Sequence, residues 1–552
     1  MKAGEVIFQK LLDGKIQYVV PLYQRTYSWE EKHWEQLWDD LLEIYALPTP
    51  KNHFIGSVVT QQVDTAPEGA SKYTLIDGQQ RMTTLFILLS VVRQFAKSDT
   101  ETWGNLAEEI QNTCLVNQYI EGDERIKLMP TQRDRSAFAS VINGEIPPDS
   151  TLISQARSYF YKRLKQGDFD GNEINLRTLH SYIVNHLDMV SIRLDQDDSP
   201  NRIFESLNNT GMPLSVADLI RNYLFMNIPN LKDQEKAYNE LWFPMEKLLT
   251  KRNSLDFSDF FWRYLMMDGS LPRWDDTYDA LQEHLDPLTS EKVMDTLENF
   301  SKFSRYYAQI AGIHKLGLDD VILEQVKRLN IWRIDVAYPF LMRIFDSFYL
   351  KKISKEELVC VMQMIESFVI RRAVCGVPTN QLRKIFAQMS GQVDFSKFVE
   401  SARSHLLNNR WPSNNEFHSA FVNFPLYTQR ERARLILWTL ENSLGHKETP
   451  ALTSEITIEH IMPQTLSLEW ENTLGENASE IHARWVDTIG NLTLSGYNYN
   501  LGQKPFAEKK IILANTNFAL SGGLQKVDVW NATTIENRGN ELAELASEIW
   551  KC

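Results

Sequence analysis

Between residues 101 and 400 the apolar side chains recur at helical spacing, and that periodicity commits much of the chain to α-helix. Leu219 to Met226, Phe257 to Met267 and Glu357 to Val374 carry it most clearly, and Pro-containing stretches such as Gly144 to Pro148 punctuate it. A chain of 552 residues is too long for one ordinary core, so two or three domains are expected. The pattern divides at about residues 1–225, 226–400 and 401–552. The first zone alternates β-rich runs (Ile16 to Val20, Ile55 to Gln61, Tyr73 to Ile76) with helical stretches from Trp29 to Ile44 and from about Thr83 to Phe95. The third begins near Trp411 and continues through a helix from Arg432 to Leu444. A Gly/Pro break at Gly445 to Pro450 then leads to a strand over Ile456 to Ile458. The predicted class is α+β and multidomain.

Composition narrows the setting. Hydrophobic residues are 43% and charged residues 24%, which suits a soluble globular chain. No apolar run reaches the ~18 residues a membrane span needs; Met82 to Val92 is the best candidate and is too short. The start, MKAGEVIFQK, has no secretory core, so a cytoplasmic location with no membrane partner is expected. Cys114, Cys360, Cys375 and Cys552 form no CxxC pair, which fits a reducing compartment and argues against a structural zinc. The net charge of −14 argues against strong non-specific affinity for nucleic acid. Local basic clusters exist at Arg371-Arg372 with Arg383-Lys384, at Arg430 to Arg434, and at Lys504 with Lys509-Lys510. Most should be solvated helix faces, with one or two meeting phosphate.

Near the C-terminus, Ile456-Thr457-Ile458-Glu459-His460-Ile461-Met462-Pro463-Gln464 ends a β-branched run with an acid and a histidine side by side. A plain strand would separate the two, whereas a bend toward Pro463 would let both approach a common centre. Ile489-Gly490-Asn491-Leu492-Thr493-Leu494 follows, then Asn498 and a basic helix start at Lys504-Pro505-Phe506, with Pro505 in the first turn. Hydrolysis of a phosphodiester needs a neutral imidazole to accept a proton and a hard cation held by oxygen ligands. His460 is the candidate base, and Glu459 and Asn498 suit magnesium or manganese. Asn491 is placed with the catalytic group as a brace. Lys504, Lys509 and Lys510 are candidate phosphate contacts, and His482 is a rival ligand.

Near the N-terminus, Leu75-Ile76-Asp77-Gly78-Gln79-Gln80-Arg81 runs from a strand through a glycine turn into a helix. Such a turn offers backbone N–H groups and a positive dipole end, and Arg81 adds a planar fork suited to phosphate. The Gly78 turn with Gln79, Gln80 and Arg81 is therefore a candidate phosphate site, with a buried Gln/Arg structural network as the competing reading. In Val20-Pro21-Leu22-Tyr23-Gln24-Arg25-Thr26-Tyr27-Ser28-Trp29, the aromatics either fill a core or line a pocket that cradles nucleic acid.

PLYQRTYSW, HFIGSVV, LIDGQQRMTTL and the stretch Phe204 to Ser215 followed by Ala217 to Ile220 resemble the DUF262 (GmrS-like) family. EHIMPQ, GNLTLSGYN and KPFAEKK are similar to DUF1524 (GmrD-like) domains, whose order is that of His-Asn-His nucleases, and HIMPQ also looks like the HNH domain of CRISPR effectors. The resemblance implies a ParB/sulfiredoxin-like N-terminal α/β domain, a helical middle and a C-terminal HNH (ββα-metal) domain in a mostly helical setting. It implies a type IV, modification-dependent restriction nuclease used against phage, with DNA as partner and a nucleoside triphosphate (GTP, UTP, CTP or ATP) bound by Asp77 to Arg81. In relatives that sense phosphorothioated DNA the PxYQR segment forms the pocket, which points here to Pro21, Tyr23, Gln24 and Arg25. A nucleotide-switched signalling protein with a silent HNH site and a toxin-like nuclease are the alternatives. The identity of the modification and the oligomeric state, a homo-oligomer among the options, stay open.

Overall fold

Gly78 is where the N-terminal architecture turns. In the computed structural model its φ is +92°, and a Cβ there would meet the carbonyl oxygen of Ser57 at 2.9 Å, so glycine is required for the strand to become a helix without a gap. The structure describes residues 1–64, 69–147, 151–168, 170–195, 198, 214–250, 255–315, 317–444, 455–496 and 498–552. Most of the Phe204 to Ser215 motif lies outside them. The described chain is α+β and forms two compact units: Met1–Phe243 with Leu285–Leu297, and Pro244–His284 with Glu298–Cys552.

The first unit is built on a mixed six-stranded sheet of β1 (Lys2–Ile7), β2 (Ile16–Val19), β3 (His53–Asp64), β4 (Ser71–Asp77), β5 (Leu128–Met129) and β6 (Leu187–Leu194). Their spatial order is β1-β6-β3-β4-β2-β5. β3 runs parallel to β6 and antiparallel to β4, which puts Val59 opposite Asp77. Behind Gly78 the helix Gln79–Ser98 is buried at every position from Met82 to Arg93. A helix apolar on all sides must sit inside a core, which is why Met82 to Val92 reads as the strongest hydrophobic run in the chain. It packs with Trp34 and Trp38 of the helix Glu31–Tyr45 and with Phe160 of the helix Leu152–Gln166. A smaller cluster of Val59, Ile76 and Leu194 gathers with Leu214 and Met226.

Two helix starts in the first unit differ from the sequence reading. The helix expected from Trp29 starts at Glu31, because Glu30 and His33 form a capping box that closes its first turn. The helix expected from about Thr83 already begins at Gln79, so the Gln-Gln-Arg run occupies the first turn rather than a loop.

Helices dominate the second unit. Its long helix Lys355–Val374 carries the Arg371-Arg372 pair, which is neither a solvated face nor a phosphate site. Arg371 is fully buried and donates to the carbonyls of Trp550 (2.5 Å) and Pro412 (2.9 Å) and to Asn414 (2.6 Å). Arg372 donates to the carbonyls of Asn409 and Pro378, both at 2.9 Å. A buried guanidinium is tolerated when its donors find acceptors, and these two tie distant segments together. Among the described residues no helix is long and apolar enough to cross a membrane.

Candidate active site

β7 (Thr457–His460) pairs antiparallel with β8 (Leu492–Ser495), with Glu459 opposite Thr493 and His460 opposite Leu492. The helix Phe506–Ala514 follows; Pro505 is its N-cap rather than a first-turn residue. The strand does not bend before His460, and this corrects the expectation of a common centre. Neighbouring side chains on a strand diverge, and the two groups take different partners.

Glu459 turns to Lys509. The Nζ of Lys509 lies 2.7 Å from Glu459 Oε1 and also donates to the His460 carbonyl at 2.7 Å. Lys509 is fully buried. Burial pushes the Glu459 carboxyl up and the Lys509 ammonium down, while each partner opposes the other's shift. Lys509 is thus an internal counter-ion and does not present its charge to DNA, contrary to the phosphate-contact expectation. Lys510 donates to the Val527 carbonyl (2.6 Å), and Lys504 is open to solvent beside Glu508.

His460 lies between Asp487 and Tyr427. Its Nε2 is 3.2 Å from Asp487 Oδ1, and the Tyr427 ring stands edge-on at 4.2 Å between centroids. Tyr427 reaches this place because its N–H donates to the Asp487 carbonyl (3.2 Å) and because Pro425 bridges Thr488. The exposed Arg430 lies over the Tyr427 ring at 5.1 Å. Burial lowers the His460 pKa more than Asp487 raises it, with Lys509 and His482 adding to the fall. The imidazole is therefore neutral at neutral pH, the form a general base needs. His482, the rival ligand, bonds the Pro463 carbonyl at 2.9 Å.

Asn491 is buried and all its side-chain bonds end on protein. Its Oδ1 accepts from Met462 N–H (2.7 Å) and Trp530 Nε1 (3.1 Å), and its Nδ2 donates to the carbonyls of Met462 and Val486, both at 2.9 Å. Such an asparagine holds the loop after β7 against the loop before β8. Gly490 is needed beside it because a Cβ would sit 2.2 Å from the Ile535 carbonyl oxygen on the helix Ala532–Ile549. From the same helix Arg538, its pKa lowered by burial to about 10, donates to the carbonyls of Ile489, Gly490 and Leu492.

Of the two expected metal donors, only Glu459 has a described side chain. The Asn498 side chain lies outside the described residues, although its backbone opens the short helix Asn498–Leu501. Among the described residues no cluster of three or more His, Cys, Asp or Glu side chains has the arrangement of a cation site, and Glu459 is neutralised by Lys509. Of the two expected donors, Glu459 is thus engaged by Lys509 and the Asn498 side chain is not among those described.

In the first unit the two N-terminal motifs meet. Gln79 donates to Gln24 Oε1 (3.1 Å), and Gln24 donates to the Ile76 carbonyl (3.0 Å). Gln80 accepts from the Ser28 N–H at 2.8 Å, and Ser57 Oγ faces Asp77 at 3.4 Å. Pro21, Tyr23, Gln24 and Gln80 are buried, so they shape this corner instead of lining an open pocket; Arg25, Asp77, Gln79 and Arg81 keep some exposure. Tyr23 and Tyr27 belong to the interior, where Tyr27 accepts from Trp34 Nε1 and bonds Thr84, both at 2.7 Å. Trp29 does line a cavity of about 580 Å³, with Lys32, His33, His53, Phe54 and Arg81. Gly56 at φ +112° lets Arg81 lie along the strand, since a Cβ would be 2.8 Å from its guanidinium carbon, and Arg81 donates to the Ser57 carbonyl at 2.6 Å.

Two family models match this chain: the N-terminal domain of GmrSD restriction endonuclease over residues 8–225, and the C-terminal domain of GmrSD restriction endonucleases over residues 411–545. The chain has the architecture of a GmrSD-type restriction endonuclease. No curated protein matches it. Within this GmrSD architecture the Glu459-His460 pair, the Gly490-Asn491 turn and Lys509 fall in the C-terminal match, and the DGQQR and PLYQR segments fall in the N-terminal one. Sequence reasoning missed Asp487, Tyr427 and Arg538. Asp487 sits four residues before Asn491, so the flank of the Gly-Asn turn is the one local signal that points to it. Tyr427 and Arg538 approach from other segments, with no local mark.

Proposed function

We propose that this protein is a type IV, modification-dependent restriction nuclease of the cytoplasm that hydrolyses phosphodiester bonds in phage DNA. His460 is the general base, in an HNH-type site, and the N-terminal domain, of ParB/sulfiredoxin-like fold, reads a DNA modification under nucleoside triphosphate control. The observation that carries this reading is a buried imidazole held by Asp487 on a strand that Asn491 braces, in a chain matched at both ends by restriction endonuclease models. Magnesium or manganese is the cofactor proposed, with Glu459 and Asn498 as oxygen donors. Lys509 holds Glu459 in this structure, so a cation would have to compete with an ammonium already in place.

The test is cleavage of a panel of phage and plasmid DNAs carrying glucosylated hydroxymethylcytosine, other modified bases or phosphorothioate, with and without MgCl2 or MnCl2. His460→Ala should lose at least about 100-fold in rate, the lower edge of what a general base contributes. Cutting by this variant at the wild-type rate would remove the assignment.

Arg81 and the aromatic cavity beside it support nucleotide binding at Asp77 to Arg81. Arg81→Ala should weaken triphosphate binding about tenfold or more, as loss of a charge-assisted hydrogen bond predicts. Calorimetric titration with GTP, UTP, CTP and ATP in turn reads this, and equal affinities in variant and wild type would place the nucleotide elsewhere.

A further inference from the structure

We infer that Asp487 is the positioning residue of His460: its carboxylate fixes the imidazole as the Nε2–H tautomer and leaves Nδ1 as the atom that takes a proton from water. The inference rests on the reading of His460 as the base and goes beyond it by naming which nitrogen acts and what selects it.

Geometry carries the argument. His460 Nε2 and Asp487 Oδ1 are 3.2 Å apart, and an ionised carboxylate can only accept a hydrogen bond, so the shared proton belongs to Nε2. A neutral imidazole holds one proton, so the other nitrogen keeps its lone pair. Asp487 is itself held on both sides. Its carbonyl accepts from the Tyr427 N–H (3.2 Å), and its neighbour Val486 offers its carbonyl to Asn491 (2.9 Å). The Tyr427 ring, edge-on at 4.2 Å, limits rotation of the imidazole. On the strand side, Lys509 holds the His460 carbonyl at 2.7 Å. Each contact reaches His460 from a different stretch of chain, and among the described residues the carboxylate is the one that addresses a ring nitrogen. Asp487 stays partly open to solvent, with 30% of its side-chain surface accessible, whereas the His460 side chain keeps 7%. The ring is thus enclosed while the group that orients it keeps contact with solvent.

Water loses a proton to Nδ1 as its oxygen attacks phosphorus, the bond from phosphorus to the leaving oxygen breaks, that oxygen takes a proton from solvent, and the imidazolium is stabilised by the Asp487 carboxylate it already bonds.

The experiment uses the full chain with 15N-labelled histidine, the His460 signals being identified by their loss in His460→Gln. Wild type should show a protonated Nε2 and an unprotonated Nδ1. Asp487→Asn, nearly isosteric and checked for folding by its thermal transition, should show a mixture of tautomers. On the DNA of the panel that wild type cuts fastest, it should lose about 100-fold in kcat with KM unchanged. Asp487→Glu should recover part of both readouts. A wild-type Nδ1–H tautomer would overturn the inference. So would an Asp487→Asn protein that keeps tautomer and kcat, or one that loses kcat with the tautomer intact. The spectra need no cleavage, so failure of His460→Ala to impair cutting would bring down the general-base reading while the tautomer result is judged separately.

Discussion

Replacing Lys509 with methionine should destabilise the C-terminal unit by about 3–5 kcal/mol, the usual consequence of removing one partner of a buried ion pair. The Lys509 side chain is 0% exposed and Glu459 keeps 9% of its surface, so the carboxylate left behind cannot recover its hydration. The His460 carbonyl loses the same ammonium, which adds an unsatisfied acceptor directly at the candidate base. Neutralising both ends should repair much of the damage, because a buried pair replaced by apolar groups of similar volume is often close to neutral. The double variant Glu459→Leu/Lys509→Met is therefore expected to unfold near the wild-type denaturant concentration, with cleavage abolished through loss of Glu459. Chemical denaturation of the three proteins decides the matter. A single Lys509→Met variant as stable as wild type would mean that the pair is not buried in solution.

Asn491→Ala should cost about 3 kcal/mol or more. The substitution strands the N–H of Met462 and the Nε1–H of Trp530, two buried donors, at about 1–3 kcal/mol each, and it also takes the donor from the carbonyls of Met462 and Val486. Because Met462 is two residues past His460 and Val486 adjoins Asp487, the loop shift that follows should separate base from orienting group. Displacements of about 1 Å can cost a catalytic site 100-fold in rate. Asn491→Ala should therefore lose activity even at temperatures where it remains folded. A variant with wild-type unfolding and wild-type cutting would show that the four bonds are dispensable.

Much of the candidate site is legible in the order of residues alone. Glu459, His460, Gly490 and Asn491 stand out because residue types suited to one chemistry recur within about thirty positions, and the two segments that carry them lie on or beside the paired strands β7 and β8. The strand-turn-helix at Gly78 is legible for a similar reason, since glycine before a helical apolar run has a backbone meaning of its own. What sequence does not say is which polar groups are buried. Gln80 and Gln24 carry no sequence mark of burial, yet where the two motifs meet both are buried and bond the chain itself. Arg371 looks like a DNA-facing cation until Trp550 and Pro412 close over it.

The sequence alone determined the α+β class, the helical spacing of the middle and the order of the two sets of motifs, because these are carried by residues close together in the chain. Only the tertiary structure decided what Lys509, Asp487 and Tyr427 do. Lys509 meets Glu459 from 50 positions away and Asp487 meets His460 from 27. Whether a lysine serves a phosphate or a carboxylate, and which face of an imidazole is free, depends on burial and on partners that no local pattern specifies.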